Sequence, residues 1–237
     1  MTKEETAIKQ RAEEFARKNK ESLAKEITNP ANFLPDASPV SVFMAGSPGA
    51  GKTESSKNLI KKLTKDSHSV LRIDPDELRP RFAEYNGNNS LLFIGATSAV
   101  TDRVQDHALR NKQSFIFDGT FSNLVRSRQN IQRSLDKNRF VQIVYVYQEP
   151  RQAWKFVKAR ETKDGRMVPK EAFIDQYFKA RENVNRLKKE FGGRIQVDLI
   201  VKNIDGTDFD YRENIDVIDN YIPEKYTRDK LEDLITL

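Results

Sequence analysis

Residues Gly46, Ser47, Pro48, Gly49, Ala50, Gly51, Lys52 and Thr53 follow one another in the spacing Gly-x-x-x-x-Gly-Lys-Thr of a phosphate-binding loop. Each type has a task there: glycines let the backbone wrap a phosphate, the lysine neutralises it, and the threonine hydroxyl can hold Mg2+. The loop predicts a site for ATP or GTP with magnesium. Further acids stand in Asp74-Pro75-Asp76 and in Asp118-Gly119-Thr120. Phosphoryl transfer needs charge neutralisation, in-line positioning and a group to take the acceptor hydroxyl's proton. Asp76 is the candidate base, and Asp74 and Asp118 join Thr53 as candidate metal-holding oxygens. Thr120 adds a hydroxyl, and Arg160 and Arg166 offer guanidiniums to the spreading charge of a transition state. The stretch 74–77 reads equally as a helix start, with an N-cap, a Pro at the first position and acids in the first turn; one residue can do both. Asp-Gly at 118–119 is also a common turn dipeptide.

These residues need a scaffold that brings them to one edge. Residues 40–45 form a short apolar, β-prone run, as a buried parallel strand would. Residues 53–63 lack Gly and Pro and place Leu59, Ile60 and Leu63 on one side, which predicts an amphipathic helix whose N-terminus faces the phosphates. Further strands are expected at 69–73, 114–117, 141–147 and 196–201, and helices at 90–110 and 125–135, from 152 to 160 and from Pro169 to about 191. Alternating strands and helices predict an α/β fold of three layers: a central, mainly parallel sheet of five or six strands with helices on both faces. In such sheets ligands gather outside the strand carboxyl ends, where Asp74, Asp76, Asp118 and Thr120 arrive. The irregular stretch 161–166 has the position of a lid carrying Arg160 and Arg166. Residues 1–38 are expected as an N-terminal helical extension with a thin apolar stripe of Ile8, Ala12, Phe15, Leu23 and Ile27. Residues 39–237 form the phosphotransferase domain, with a core at 40–202 and a helical appendage at 203–237.

The 237 residues suit one α/β domain with appendages. The absence of cysteine excludes disulfides and thiol chemistry. No apolar run approaches a membrane span or a signal segment, so a soluble, cytoplasmic chain without a membrane partner is expected. Net charge is +6, but the 41 basic and 35 acidic residues are interspersed. That suits an anionic small-molecule acceptor better than nucleic acid. His68 and His107 lack ligand-spaced companions and read as structural, and Trp154 with Phe156 reads as helix packing.

In combination these segments resemble the zeta toxin family, the kinase half of epsilon–zeta toxin–antitoxin systems. The matching elements are residues 46–53, Ile73 through Arg79, Phe117-Asp118-Gly119-Thr120, Arg160-Glu161, and Arg166 through Lys170, in family order from about 40 to 201. The resemblance implies ATP-dependent phosphorylation of a hydroxyl on UDP-N-acetylglucosamine or a related nucleotide sugar. By position it implies that Asp76 is the base, that Lys52 and Thr53 bind ATP and Mg2+, and that Arg160 and Arg166 grip the transferring phosphate. Thr120, Asp102 and Arg79 fall in the acceptor region, with Asp118 standing where better-known members carry Glu. An antitoxin protein is the implied partner. The alternatives are a kinase for another acceptor, such as a nucleoside, dinucleotide, antibiotic or polynucleotide 5′ hydroxyl, and a nucleotide-gated binding module without catalysis.

Overall fold

A computed structural model describes residues 1–63, 70–223 and 225–236. The first strand, β1 (Val40–Ala45), is central: it pairs in parallel with β3 (Phe115–Phe117) on one side and β4 (Phe140–Tyr147) on the other. Beyond β3 lies β2 (Leu71–Ile73), and beyond β4 lies β5 (Gln196–Lys202), both parallel. Strand β6 (Asp208–Arg212) closes the sheet antiparallel to β5, giving the order β2-β3-β1-β4-β5-β6. Residues 208–212 were expected within a helical appendage; instead they return along the sheet edge. The reason is the turn 203–207, where the Asn203 N–H donates to the Thr207 carbonyl at 2.8 Å and closes a hairpin.

Successive side chains of a strand point to opposite faces, and a sheet covered on both sides must be apolar throughout. Phe43 and Ala45 join one core with Phe115, Ile143, Tyr145 and Leu199. Val42 and Met44 join the other with Ile116, Val144 and Val146, against Leu59 and Ile60 of helix α2 (Lys52–Leu63). The first face is covered by α4 (Ile94–Arg110), α5 (Leu124–Leu135) and α7 (Lys170–Phe191). The expected helix at 90–110 begins with a 3₁₀ turn at Ser90–Phe93 before α4 proper.

Helix α1 (Lys3–Ile27) starts with a capping box between Thr2 and Glu5. It packs on α4 through Ala12, Ala16 and Ala24, which are buried, whereas Phe15 remains partly exposed against Phe82. Small residues let the two helices approach closely, so the large members of the expected stripe lie at the margins. Ion pairs Arg11–Glu84, Arg103–Glu21 and Arg81–Glu26 fasten its outer edge. His107 is buried with Nε2 3.0 Å from Glu21 Oε1, consistent with a structural role. His68 and the start of the second expected strand, Ser69, lie outside the described residues. Trp154 packs on Phe173 with ring centroids 5.1 Å apart.

Helix α6 (Pro150–Asp164) runs four residues past Arg160, so the expected irregular stretch begins later than the sequence pattern placed it. Gly165, at φ 68°, terminates the helix in the left-handed region, and 165–169 leads into α7. Residues 161–164 contain no Gly or Pro and simply continue an existing helix, because propagation is cheap once a helix is nucleated. Helix α8 (Arg228–Thr236) packs on α6 and α7. Among the described residues no helix is long and apolar enough to cross a membrane.

Candidate functional site

The loop between β1 and α2 is held by close contacts that only glycine permits. A Cβ on Gly46 (φ 136°) would stand 2.4 Å from the Val146 carbonyl oxygen, and one on Gly49 (φ 73°) only 2.1 Å from that of Ala153 on α6. The loop is thus seated against β4 and α6, and α2 starts at Lys52 with its unpaired N–H groups at the site. Lys52 Nζ donates to the carbonyls of Gly46 at 3.0 Å and Ser47 at 2.6 Å. Burial pushes its ammonium down to about 8; Asp118 and Asp76 oppose that shift, and Arg166 and Arg160 add to it. Those four residues therefore share the electrostatic field of Lys52 despite coming from three separate parts of the chain.

On the other side of β1, the register of β2 with β3 pairs Ile73 with Phe117. The next residues on each strand, Asp74 and Asp118, consequently emerge together, and the Asp118 N–H donates to the Ile73 carbonyl at 2.8 Å. Arg72 lies between them. Its Nη2 donates to Asp74 Oδ2 at 2.5 Å and Asp118 Oδ2 at 2.6 Å, its Nε to Ser56 Oγ at 3.1 Å, and its Nη1 to Glu77. Ser56 Oγ in turn donates to Asp118 Oδ2 at 3.2 Å. The guanidinium is nearly buried; burial works against its charge, but Asp74, Asp118 and Glu77 outweigh that and raise its pKa. Burial, with Asp76 and Asp118 nearby, pushes the Asp74 carboxyl up to about 6 despite Arg72.

Asp74 is the N-cap of the short helix α3 (Pro75–Leu78), its Oδ1 accepting the Asp76 N–H at 2.8 Å. The cap holds Asp76 at the edge of the site. Asp76 is only half buried and is flanked by cations: Arg79 Nη1 lies 3.0 Å from Oδ1, off the angle of a hydrogen bond, and Arg166 Nη1 contacts Oδ2. Arg160, on the exposed side of α6, makes no ion pair among the described residues.

Thr120 ties the segment after β3 to the loop, because its carbonyl accepts the Gly46 N–H at 3.3 Å. Its hydroxyl lies 2.9 Å from Ser122 Oγ. Both line a cavity of about 150 Å³ together with Pro75, Phe117 and Arg126. Asp102 is outside that lining but pairs with Arg126 at 2.5 Å, while Arg126 also donates to the Ser98 carbonyl at 2.9 Å.

Among the described residues there is no cluster of three or more His, Cys, Asp or Glu able to hold a metal alone. A hard cation shared with phosphates needs fewer protein oxygens. Asp118 fits, since among the described residues nothing donates to its Oδ1, and Thr53 fits as the loop hydroxyl; both oxygens of Asp74 are taken up by the α3 cap and Arg72.

Arg72, Ser56 and Arg126 escaped the sequence reading. Arg72 carried a signal: a charged residue between Leu71 and Ile73 in a strand must find buried partners or pay for desolvation. Ser56 and Arg126 carried none, because their partners come from distant segments.

A sheet of this order, with a phosphate loop after β1 and acids at the ends of the two strands to one side of it, β3 and β2, defines a kinase-like protein of the phosphate-loop class. Within that class, the chain belongs to the zeta toxin family, whose family model matches residues 24–216. No curated protein matches the chain in sequence. The fold is also that of a chain from the PezAT chromosomal toxin–antitoxin system of the human pathogen Streptococcus pneumoniae, with a TM-score of 0.65 at 12% identity over 100% of this chain and 93% of that one. A complex of AvrRxo1-ORF1 with AvrRxo1-ORF2, determined with ATP, gives 0.58 at 16% identity over 87% of this chain and 65% of that one.

Proposed function

We propose that the protein transfers the γ-phosphoryl group of ATP to a hydroxyl of a nucleotide sugar, UDP-N-acetylglucosamine or a relative, with Asp76 as base. The observation that carries this reading is the meeting of Asp76 and Arg166 in the electrostatic field of Lys52, over a loop built for phosphates. A carboxylate, an arginine pair and a loop lysine are the parts that in-line phosphoryl transfer requires.

In the reaction the acceptor hydroxyl oxygen forms a bond to Pγ, the bond from Pγ to the bridging oxygen breaks, and ADP leaves. The hydroxyl proton passes to the Asp76 carboxylate. For this Asp76 must be free of Arg166, and the γ-phosphate, a stronger anion, is the natural competitor for that guanidinium. Lys52, Arg160 and Arg166 then neutralise the charge spread over the transferring group. Thr53 and Asp118 would hold Mg2+, which supplies further neutralisation and phosphate orientation when bound. Arg72 and Asp74 keep Asp118 and Asp76 in place. The cavity lined by Thr120 and Arg126, with Asp102 steadying Arg126, is offered to the acceptor, and Arg79, beside Asp76, would meet the acceptor near the base. The reading places the chain where nucleotide sugars are made and includes an antitoxin protein as partner, in keeping with the family.

Incubation with Mg·ATP and a panel of UDP-sugars, followed by mass spectrometry, tests the substrate. A UDP-sugar gaining one phosphate is the expected product. ADP release that depends on another hydroxyl compound would move the acceptor elsewhere, and nucleotide binding without acceptor-dependent ADP release would reduce the protein to a nucleotide-gated binding module.

A further inference from the structure

The phosphate loop touches a second lysine. Lys202, the last residue of β5, has a side chain only 3% exposed, and its Nζ donates to Asp208 Oδ1 of β6 at 2.5 Å. Its other face meets the loop: a Cβ built on Gly51 would stand 3.2 Å from Lys202 Cε and 3.7 Å from Nζ. Glu54 Oε2, on an exposed side chain, is 3.8 Å from the same point. An ammonium carries three donors, and buried donors are ordinarily satisfied. Among the described residues Asp208 is the only hydrogen-bond acceptor of Lys202 Nζ.

The sheet order fixes which end of a nucleotide would lie here. Asp76 and Asp118 follow β2 and β3 on one side of β1, whereas β5 lies two strands away on the other side. A nucleotide with its γ-phosphate between Lys52 and Asp76 must extend its α-phosphate and ribose in the opposite direction, toward the end of β5. The turn 203–207, stiffened by bonds from Thr207 N–H and hydroxyl to Asp205 at 2.9 and 2.7 Å, stands directly beyond. Gln148 at the end of β4 anchors the turn by donating to the Asn203 carbonyl at 3.0 Å.

Resting on the kinase reading, we propose that Lys202 is a second phosphate-binding cation, serving the α-phosphate of the donor nucleotide, with the 203–207 turn bordering its nucleoside. Asp208 engages one of the three donors of the ammonium and leaves the others for the phosphate.

The test is titration calorimetry of the full chain with Mg·ATP and Mg·ADP, for the wild type, Lys202→Met and Asp208→Asn. Both nucleotides keep the α-phosphate, so Lys202→Met is expected to weaken them by the same factor, on the order of tenfold for a charge-assisted hydrogen bond. Asp208→Asn removes the ion pair but leaves the ammonium, and is expected to bind both nucleotides at least as tightly as the wild type. Unchanged binding by Lys202→Met, a loss confined to ATP, or an equal loss in Asp208→Asn would each overturn the assignment, the last because it would make the ion pair and not the cation responsible. Should Lys202→Met not fold, Lys202→Gln takes its place with the same expectation, an equal loss for both nucleotides, and the same overturning results. A wild type that binds neither nucleotide would instead sink the kinase reading itself.

Discussion

Replacing Arg72 by Met should expose how the acidic side of the site is held together. The side chain is 9% exposed and faces Asp74 and Asp118, at 8% and 5%, so its loss leaves two buried carboxylates facing each other without their cation. Removing one partner of a buried ion pair costs about 3–5 kcal/mol. One relief is available: Asp74, already pushed up to about 6, can take a proton at pH 7 for about 1.4 kcal/mol or less. The expected loss therefore sits near the lower end, about 3 kcal/mol, or roughly 6–12 °C in Tm for a chain of this size. The sign of its pH dependence follows. A carboxylate whose folded pKa lies above its unfolded value stabilises the fold at low pH, and that contribution fades as pH rises through the folded pKa. Arg72→Met raises the Asp74 value further, so the deficit relative to wild type should be larger at pH 8 than at pH 5.5. Thermal unfolding followed by circular dichroism at the two pH values measures it. A Tm within about 2 °C of wild type, or a deficit independent of pH, would refute the account of Arg72 as the cation that makes this pair of acids tolerable.

Two further outcomes concern chemistry. Asp76→Asn should lower kcat by about 10²–10⁴, the range for a positioned base, while leaving the KM for ATP unchanged or lower, since Arg79 and Arg166 lose a competing anion; steady-state ADP release reads both, and full turnover would remove Asp76 as the base. Burial holds the Lys52 ammonium down to about 8, so it is partly neutral at pH 8.5, and a bound phosphate should restore its charge. Mg·ATP binding at pH 8.5 should then be accompanied by proton uptake, seen as calorimetric heats that differ between buffers of unlike ionisation enthalpy; buffer-independent heats would contradict it. In the free protein the same depressed value makes Lys52 a cost to folding that is present below pH 8 and relieved as pH rises toward the unfolded value.

Much of the architecture was legible because its signals are local. The apolar run 40–45 is a strand buried on both faces, and Pro169 and Gly192 bracket α7 as helix punctuation does. The edge strand β6 was not legible: Asp208-Phe209-Asp210-Tyr211-Arg212 leaves Phe209 and Tyr211 exposed, so its alternation does not mark a core-facing strand, and only pairing with β5 defines it. The end of α6 was misplaced because nothing at 161–164 opposes a helix already running.

The sequence by itself determined the phosphate loop, since glycine conformations, a lysine and a helix N-terminus are properties of eight consecutive residues. It also supplied Asp74, Asp76, Asp118 and Arg166 as separate candidates. Only the tertiary structure decided their company. Arg72 reaches Asp118 because β2 and β3 are neighbours in register, Arg166 reaches Asp76 because α6 ends at Gly165, and Lys202 lies against Gly51 because β5 sits two strands from the loop. Charges far apart in the chain become partners only once the sheet fixes their separation, and in a buried site that separation sets how strongly each one acts on the others.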